Sequence, residues 1–185
     1  MIDIFDKRQS TRCYSNKKIL NEDIKKILLA GSKAPSAHNK QPWYFVVLTT
    51  KQKNKIGDLL INYDIINNTI SSNTKTGEII KQAPTLILIY SKINTHLEMT
   101  YLSLGAAIEN MLLKATEINI NSLWIGNVIN IKKEIKNDLN IDKLLVSAVA
   151  LGIKEKEEKQ IEKQKLEDNL LWMEDICKNQ KEHTM

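Results

Sequence analysis

The chain has 185 residues, of which 42% are hydrophobic and 26% charged. This length and composition predict one globular domain that buries about 70% of the surface exposed by its unfolded form. The net charge of +5 comes largely from interspersed Lys, Arg, Asp and Glu residues, and aromatic residues make up only 5%. Interspersed charge is typical of a solvated surface, so we expect no nucleic-acid partner.

Cysteine usage and hydropathy indicate a soluble protein of the reducing cytoplasm. Cys13 and Cys177 lie far apart and form no C-x-x-C pair, which argues against a disulfide framework or a zinc site. The first ten residues are charged from residue 3 onward and lack the apolar core of a secretory signal. The longest apolar runs, LLVSAVALGI and TLILIY, are too short to cross a bilayer.

The first half of the chain alternates between helical and strand-like segments. Asn21 is expected to cap a helix that stops near Gly31, and a long polar loop then leads into a buried strand, WYFVVL at 43–48. Thr50 is expected to cap a second helix. Residues 64–78 are rich in Asn, Ser and Thr, and we interpret them as a mobile loop or lid.

A central helix and two further strands are predicted in the second half. Pro84 ends a short helical stretch, a strand follows at 85–90, and the longest helix spans about 98–118. The small residues of this helix, Gly105, Ala106 and Ala107, permit close approach by another element.

The chain then continues with a strand or strand end at 122–129, a short helix capped by Asn130 and a strand within LLVSAVALGI. Residues 153–185 form a charged extension, whose apolar anchor LLWM is expected to dock on its own domain or on a partner subunit. The predicted fold class is α+β, with a mixed or antiparallel central sheet flanked by helices.

Several familiar catalytic motifs are missing from the sequence. The six glycines form neither G-x-G-x-x-G nor a Walker A motif, and no G-x-S-x-G elbow occurs. The three histidines show no metal-ligand spacing, so no metal site is expected. If the chain is an enzyme, we expect a cofactor to carry the chemistry.

One local excess of positive charge is a candidate anion site. The twelve positions from 7 to 18 contain five basic residues: Lys7, Arg8, Arg12, Lys17 and Lys18. The pattern R-x-S-x-R at 8–12 offers two guanidinium groups and a hydroxyl, which suits a phosphate. A solvated basic segment is the alternative interpretation.

These segments together resemble a known family. RQSTR at 8–12, APSAHNKQPWYFVV at 34–47, KQAPTLILIY, SLGAAIENMLLKATEINI and SLWIG are similar, in this order, to the motifs of the FMN-dependent nitroreductases. The resemblance implies a homodimer with FMN at the subunit interface. It also implies hydride transfer from NADH or NADPH to the flavin and then to an acceptor in the same pocket.

The resemblance assigns site residues in each motif. Arg8 and Ser10 would bind the flavin phosphate, Arg12 would lie near the N1 and O2 edge, and Gln9 replaces a residue that is usually basic. The loop would wrap the flavin held mainly by the other subunit, through Pro35, Ser36, Ala37, Asn39 and Gln41.

The later motifs complete the expected site. The segment that covers one flavin face would be Leu123, Trp124, Ile125 and Gly126, with a backbone N–H of Ile125 or Gly126 toward flavin N5. Many relatives carry glutamate where this chain has Ile125. Lys163 and Lys165 are the expected basic residues of the extension for the phosphate, or else solvated lysines.

Two other functions stay open at this point. The same fold hosts dehalogenases, flavin-fragmenting enzymes and azoline oxidases, and a fold alone does not choose among reactions. A non-catalytic dimer that binds flavin or nucleic acid is the third possibility. The acceptor and the choice between NADH and NADPH are not indicated by the sequence.

Overall fold

The computed structural model describes residues 3–68, 72–159 and 161–173. The helices in these ranges are α1 Ile4–Lys7, α2 Asn21–Ser32, α3 Thr50–Ile66, α4 Ser72–Gln82, α5 Leu97–Glu117 and α6 Lys132–Leu139. The strands are β1 Trp43–Thr49, β2 Thr85–Ser91, β3 Asn121–Ile125 and β4 Leu144–Gly152. Short 3₁₀ turns span Ala37–Asn39, Asn127–Ile131 and Leu166–Asn169.

The four strands form an antiparallel sheet in the order β1-β2-β4-β3. All seven residues of β2 are buried, because this strand has neighbours on both edges and helices on both faces. Leu86 and Leu88 point to one face, whereas Ile87 and Ile89 point to the other, as the two-residue period of a strand requires. The predicted α+β class with an antiparallel sheet is confirmed.

One face of the sheet packs against α2 and α5. Ile27, Ile108 and Met111 are fully buried there, together with Ile87 and Val149 of the sheet. The long helix predicted at about 98–118 is confirmed as α5. The other face packs against α3, α4 and α6, whose buried apolar residues include Leu60, Ile80 and Ile135.

The loop or lid predicted at 64–78 is wrong. Residues 64–66 end α3 and residues 72–78 lie in α4, while 69–71 are outside the described residues. The two helices cross closely: a Cβ placed on Gly77 would lie 2.5 Å from the Gly57 carbonyl oxygen. Tertiary packing therefore overrides the low helix propensity of the Asn, Ser and Thr residues.

The predicted strand at 122–129 is too long. β3 ends at Ile125, and the chain turns at Gly126 into the 3₁₀ turn Asn127–Ile131. This turn buries Val128 and Ile131 in the core. The apolar residues that suggested a longer strand are therefore buried by a turn instead.

The predicted helix caps are also wrong. Asn21 and Thr50 are the first residues of α2 and α3, and neither helix has a side-chain cap. Asn130 lies in the 3₁₀ turn before α6, and its Nδ2 donates a hydrogen bond to Asn73 Oδ1 at 3.1 Å. Its side-chain amide thus links this turn to α4.

The charged extension divides into two parts. Residues 154–159 lie against the N-terminal segment, whereas the predicted anchor Leu170–Met173 is exposed in this chain. Residues 174–185, with Cys177 and His183, lie outside the described residues. Across the described ranges, no helix combines the length and apolar character needed to cross a bilayer.

Candidate cofactor site

The R-x-S-x-R segment is extended and lies beside β3. Thr11 N donates to Ser122 O at 3.0 Å, and Ser10 pairs with Ser122 as in a parallel ladder. Side chains alternate in an extended chain, so Thr11 turns inward and is 1% exposed, while Ser10 and Arg12 face the other side. The spacing therefore places Arg8, Ser10 and Arg12 along one cleft.

This basic cleft has a volume of about 140 Å³. Its lining residues are Phe5, Asp6, Arg8, Gln9, Ser10, Arg12, Lys159, Ile161 and Lys163. Four of the nine carry a positive charge and one carries a carboxylate, so the cleft favours an anion. Guanidinium groups, ammonium groups and a hydroxyl are the donors that a phosphate monoester uses.

The extension reaches this cleft because Glu158 holds it there. Glu158 Oε1 accepts hydrogen bonds from Arg12 N at 2.6 Å and from Cys13 N at 3.0 Å. Glu155 N also donates to Cys13 O at 3.1 Å. These bonds bring Lys159 and Lys163 to the basic cleft.

The two predicted lysines are not equivalent. Lys163 lines the basic cleft, but Lys165 does not. Lys165 precedes the 3₁₀ turn Leu166–Asn169, where its carbonyl accepts a hydrogen bond from Asp168 N at 3.3 Å.

Cys13, beside Arg12, lacks the environment of a nucleophile. Its Sγ donates to Glu155 Oε2 at 3.3 Å, and this hydrogen bond raises the pKa of the thiol. A raised pKa reduces the thiolate population, so we assign no chemistry to Cys13.

A second cleft, at the end of β3, adjoins the first through Arg12. This strand-end cleft is lined by Arg12, Ser72, Thr76, Ile79 and residues 123–127. It contains all four residues predicted at 123–126. Arg12 lines both clefts, so a ligand with an anionic end in the basic cleft could extend past Arg12 to Gly126.

The predicted loop at 35–41 is built from strained backbone. His38, Asn39 and Gln41 have φ of 52°, 52° and 46°, in the left-handed region, which is costly for His and Gln but better tolerated by Asn. The strain is supported by hydrogen bonds: Gln41 N donates to Ser36 Oγ at 3.0 Å, and Ala37 N donates to Ser103 Oγ at 3.2 Å.

The loop does not join the other predicted residues within one chain. Ala37 and His38 line a separate cavity with His96, Met99 and other residues near the start of α5. Among the described lining residues, none of 35–41 belongs to the basic cleft or to the strand-end cleft. In a single chain the predicted site is therefore in two pieces.

Comparison with known proteins identifies the family. The model of the nitroreductase family matches residues 6–153. The chain belongs to the nitroreductase family. All of the motifs that carry the sequence resemblance lie within this match.

Two relatives illustrate the likeness at the level of sequence. A protein of Archaeoglobus fulgidus, named as a candidate NADH dehydrogenase/NAD(P)H nitroreductase, is 34% identical over 122 residues, which are 64% of this chain and 63% of that protein. The match therefore spans less than two thirds of that relative's length. A nitroreductase candidate from Desulfovibrio desulfuricans, solved in complex with FMN, is 25% identical and covers 91% of this chain and 94% of its own, with a TM-score of 0.77.

A third protein shares the nitroreductase fold at lower identity. The FMN-dependent nitroreductase NfnB of Mycobacterium smegmatis, solved in complex with NADPH, has a TM-score of 0.81 at 13% identity. The alignment covers 91% of this chain and 96% of NfnB. At this identity the likeness concerns the fold.

In this nitroreductase-family chain, the candidate site also includes residues that the sequence did not indicate. Asn127 lines the strand-end cleft, and its Nδ2 donates to Asn73 Oδ1 at 2.8 Å and to Thr76 Oγ1 at 3.1 Å. Asn73 in turn donates to the buried Asp64 carboxylate at 2.8 Å. This network ties α3 and α4 to the turn after Gly126, and no sequence pattern signals it.

Ser147 was missed as well, although a signal was present. It is the polar residue of the apolar strand LLVSAVALG, and a hydroxyl in a buried strand needs a partner. Its Oγ accepts a hydrogen bond from Trp124 Nε1 at 2.6 Å and donates one to Ile125 O at 2.9 Å.

Proposed function

We propose that this chain is an FMN-dependent oxidoreductase built from a single nitroreductase-like domain. In this proposal, NADH or NADPH and then a small organic acceptor, such as a nitroaromatic compound or a quinone, use one pocket in turn by a ping-pong mechanism. When bound, FMN supplies the hydride chemistry through its N5 atom. The chain's own residues bind the cofactor and orient it.

The observation that carries the proposal is the junction of two clefts at Arg12. The basic cleft offers Arg8, Ser10 and Lys163 to a phosphate, and the strand-end cleft continues to Gly126. A flavin mononucleotide has the same order of parts, with an anionic end and a planar ring. Arg12, between the clefts, would place positive charge near the ring, which favours the reduced flavin.

The names of the relatives support the same chemistry. The Archaeoglobus relative's name includes NADH and NAD(P)H, and the Desulfovibrio structure contains FMN. We propose the same nicotinamide donors and the same flavin for this chain. A reducing cytoplasm remains the proposed location.

We also propose a homodimer in which each site uses both subunits. The loop at 35–41 lies apart from the two clefts in one chain, so a second copy would have to supply it. An apolar cleft formed by α5, β3 and β4 is a suitable contact surface, with Tyr101 and Trp124 each 44% exposed. The exposed anchor Leu170–Met173 gives the partner a second contact.

An anaerobic visible spectrum of purified protein, reconstituted with FMN, tests the catalytic proposal. We expect flavin bands that bleach on addition of NADH or NADPH and return when a nitroaromatic acceptor or a quinone is added. Light scattering after size-exclusion chromatography should give twice the mass of the chain. A protein that takes up no FMN, or whose bound FMN is reduced by neither donor, would contradict the proposal.

A further inference from the structure

Ser147 holds the end of β3 through two hydrogen bonds. The residue is 3% exposed, and its Oγ lies 2.6 Å from Trp124 Nε1 and 2.9 Å from Ile125 O. An indole N–H only donates, so it occupies a lone pair of the hydroxyl and leaves the hydroxyl proton for the carbonyl. The serine hydroxyl thus accepts a hydrogen bond from Trp124 and donates one to Ile125.

A β-bulge accompanies Ser147. Ile89 pairs with Ser147, whereas the next residue, Tyr90, pairs with Leu145. Val146 is therefore an extra residue on β4 without a partner on β2. Bulges bend a strand and re-aim neighbouring side chains, and they are enriched beside active sites.

The carbonyl that Ser147 binds shares a peptide plane with Gly126 N–H. The peptide bonds of the described residues are trans, so this N–H points opposite to the Ile125 carbonyl and away from Ser147. Gly126 lines two clefts, the apolar cleft, which includes Ser147, and the strand-end cleft, which does not. The N–H is therefore directed to the side of the strand-end cleft, where Arg12 lies.

We propose that Ser147, with Trp124, is a positioning residue that holds the Ile125–Gly126 peptide so that Gly126 N–H meets flavin N5. The inference rests on the proposed function. A backbone donor fixed in advance stabilises charge at the reacting atom without reorganisation, which is the advantage of holding the peptide from behind. Trp124 contributes by restricting the rotation of the hydroxyl.

The ¹⁵N resonance of N5 in labelled FMN tests this inference directly. A hydrogen bond to N5 of oxidised flavin moves this resonance to lower chemical shift. In Ser147→Ala we expect the resonance to move to higher chemical shift, and FMN affinity to fall by up to about tenfold. Ser147→Thr keeps the hydroxyl and should restore the wild-type position.

Two further variants separate the hydrogen bond from packing. Ser147→Cys keeps a side chain of similar size with a weak donor, so it should move the resonance even if Ser147→Ala fails to fold. Ser122→Ala is the matched control, because Ser122 is a buried serine of the same sheet whose Oγ has no hydrogen-bond partner among the described residues. It should leave the resonance unchanged.

The outcomes distinguish the two proposals. If wild-type protein binds FMN and both Ser147→Ala and Ser147→Cys leave the N5 resonance unchanged, the role of Ser147 is wrong and the proposed function stands. The same conclusion follows if Ser122→Ala moves the N5 resonance as far as Ser147→Ala does. If wild-type protein takes up no FMN, the proposed function fails and this inference fails with it.

Discussion

Arg8, Ser10 and Arg12 share a cleft because they alternate along an extended segment whose intervening residue, Thr11, is buried. This part of the candidate site could be predicted from the sequence, since the residue types and their two-residue spacing are both local. Ser147 and Asn127 could not be assigned in the same way. Their roles depend on partners 22 and 54 residues away, Ile125 and Asn73 respectively.

Arg8 gives a prediction that separates the phosphate from the rest of the flavin. Arg8→Ala should raise the dissociation constant for FMN by about 10- to 100-fold, since hydrogen bonds to charged groups contribute about 1.5–3 kcal/mol. Riboflavin lacks the phosphate, so its affinity should change little. Fluorescence titration of both flavins checks this, and an equal loss for the two would show that Arg8 does not contact the phosphate.

Lys163 and Lys165 provide a matched pair, because each substitution by Ala removes the same charge from the same exposed segment. Lys163→Ala should weaken FMN binding by up to about fivefold, as exposed ion pairs contribute up to about 1 kcal/mol. Lys165→Ala should leave the affinity unchanged, because Lys165 does not line the basic cleft. Equal losses in the same titration would mean that only long-range charge matters.

A buried lysine outside the site predicts a pH dependence of stability. Lys53 is 4% exposed, and its Nζ donates to the carbonyls of Ile80 and Lys81 at the end of α4. Burial lowers its pKa to about 8, below the ordinary 10.5. Between these values the unfolded chain holds a proton that the folded chain has lost, so this group makes stability rise with pH.

Lys53→Met removes this titration. From pH 8 to pH 10, the free energy of unfolding of the wild type should increase relative to that of the Met variant, by at most about 1.4 kcal/mol per pH unit. Urea denaturation of both proteins measures the difference, and groups common to both cancel. A constant difference across this range would contradict the lowered pKa.

At the scale of elements, the close crossing of α3 and α4 depends on two glycines. An added Cβ on Gly77 would meet the Gly57 carbonyl oxygen and the Ile61 side chain at 2.5 and 2.8 Å. Gly77→Ala should therefore lower the free energy of unfolding by about 1–3 kcal/mol, although alanine favours a helix. Thermal and urea denaturation measure this loss.

Lys75→Ala is the control for this substitution, because Lys75 is exposed on the same helix. It should change stability by less than about 0.5 kcal/mol. If Gly77→Ala proves as mild as Lys75→Ala, the two helices can separate at little cost and their contact is not tight.

The elements also show where sequence patterns succeed and fail. The strands beginning at Trp43 and Thr85 and the helix α5 were predictable, because their apolar periodicity is strong and local. The helical state of residues 72–78 was not, because Asn73 and Gly77 disfavour a helix locally and are stabilised by contacts with α3 and the turn after Gly126. The predicted end of β3 was wrong for a related reason, since Val128 is buried in a turn instead of a strand.

At the scale of the whole molecule, the candidate site is divided between two regions of the chain. The clefts hold Arg8, Arg12 and Gly126, whereas the strained loop at 35–41 lies beside the start of α5. Spacing along a chain does not report distance in space, so the separation was expected only from the family resemblance, which implies that the loop wraps a flavin held mainly by the other subunit. The proposed dimer would reunite them across its two-fold axis.

Because of this division, the two halves of the candidate site can be tested separately by placing one substitution in each subunit. A subunit carrying Arg8→Ala and a subunit carrying Asn39→Ala should each form weakened homodimers. In a mixed dimer of the two variants, one site would contain both substitutions and the other site would contain neither. Co-expression of the two variants should therefore restore about a quarter of the wild-type number of intact sites when subunits pair at random in a two-fold dimer. No restoration would mean that each site is built within one chain, whereas recovery by mixing two defective proteins would make the partner an obligatory part of the enzyme.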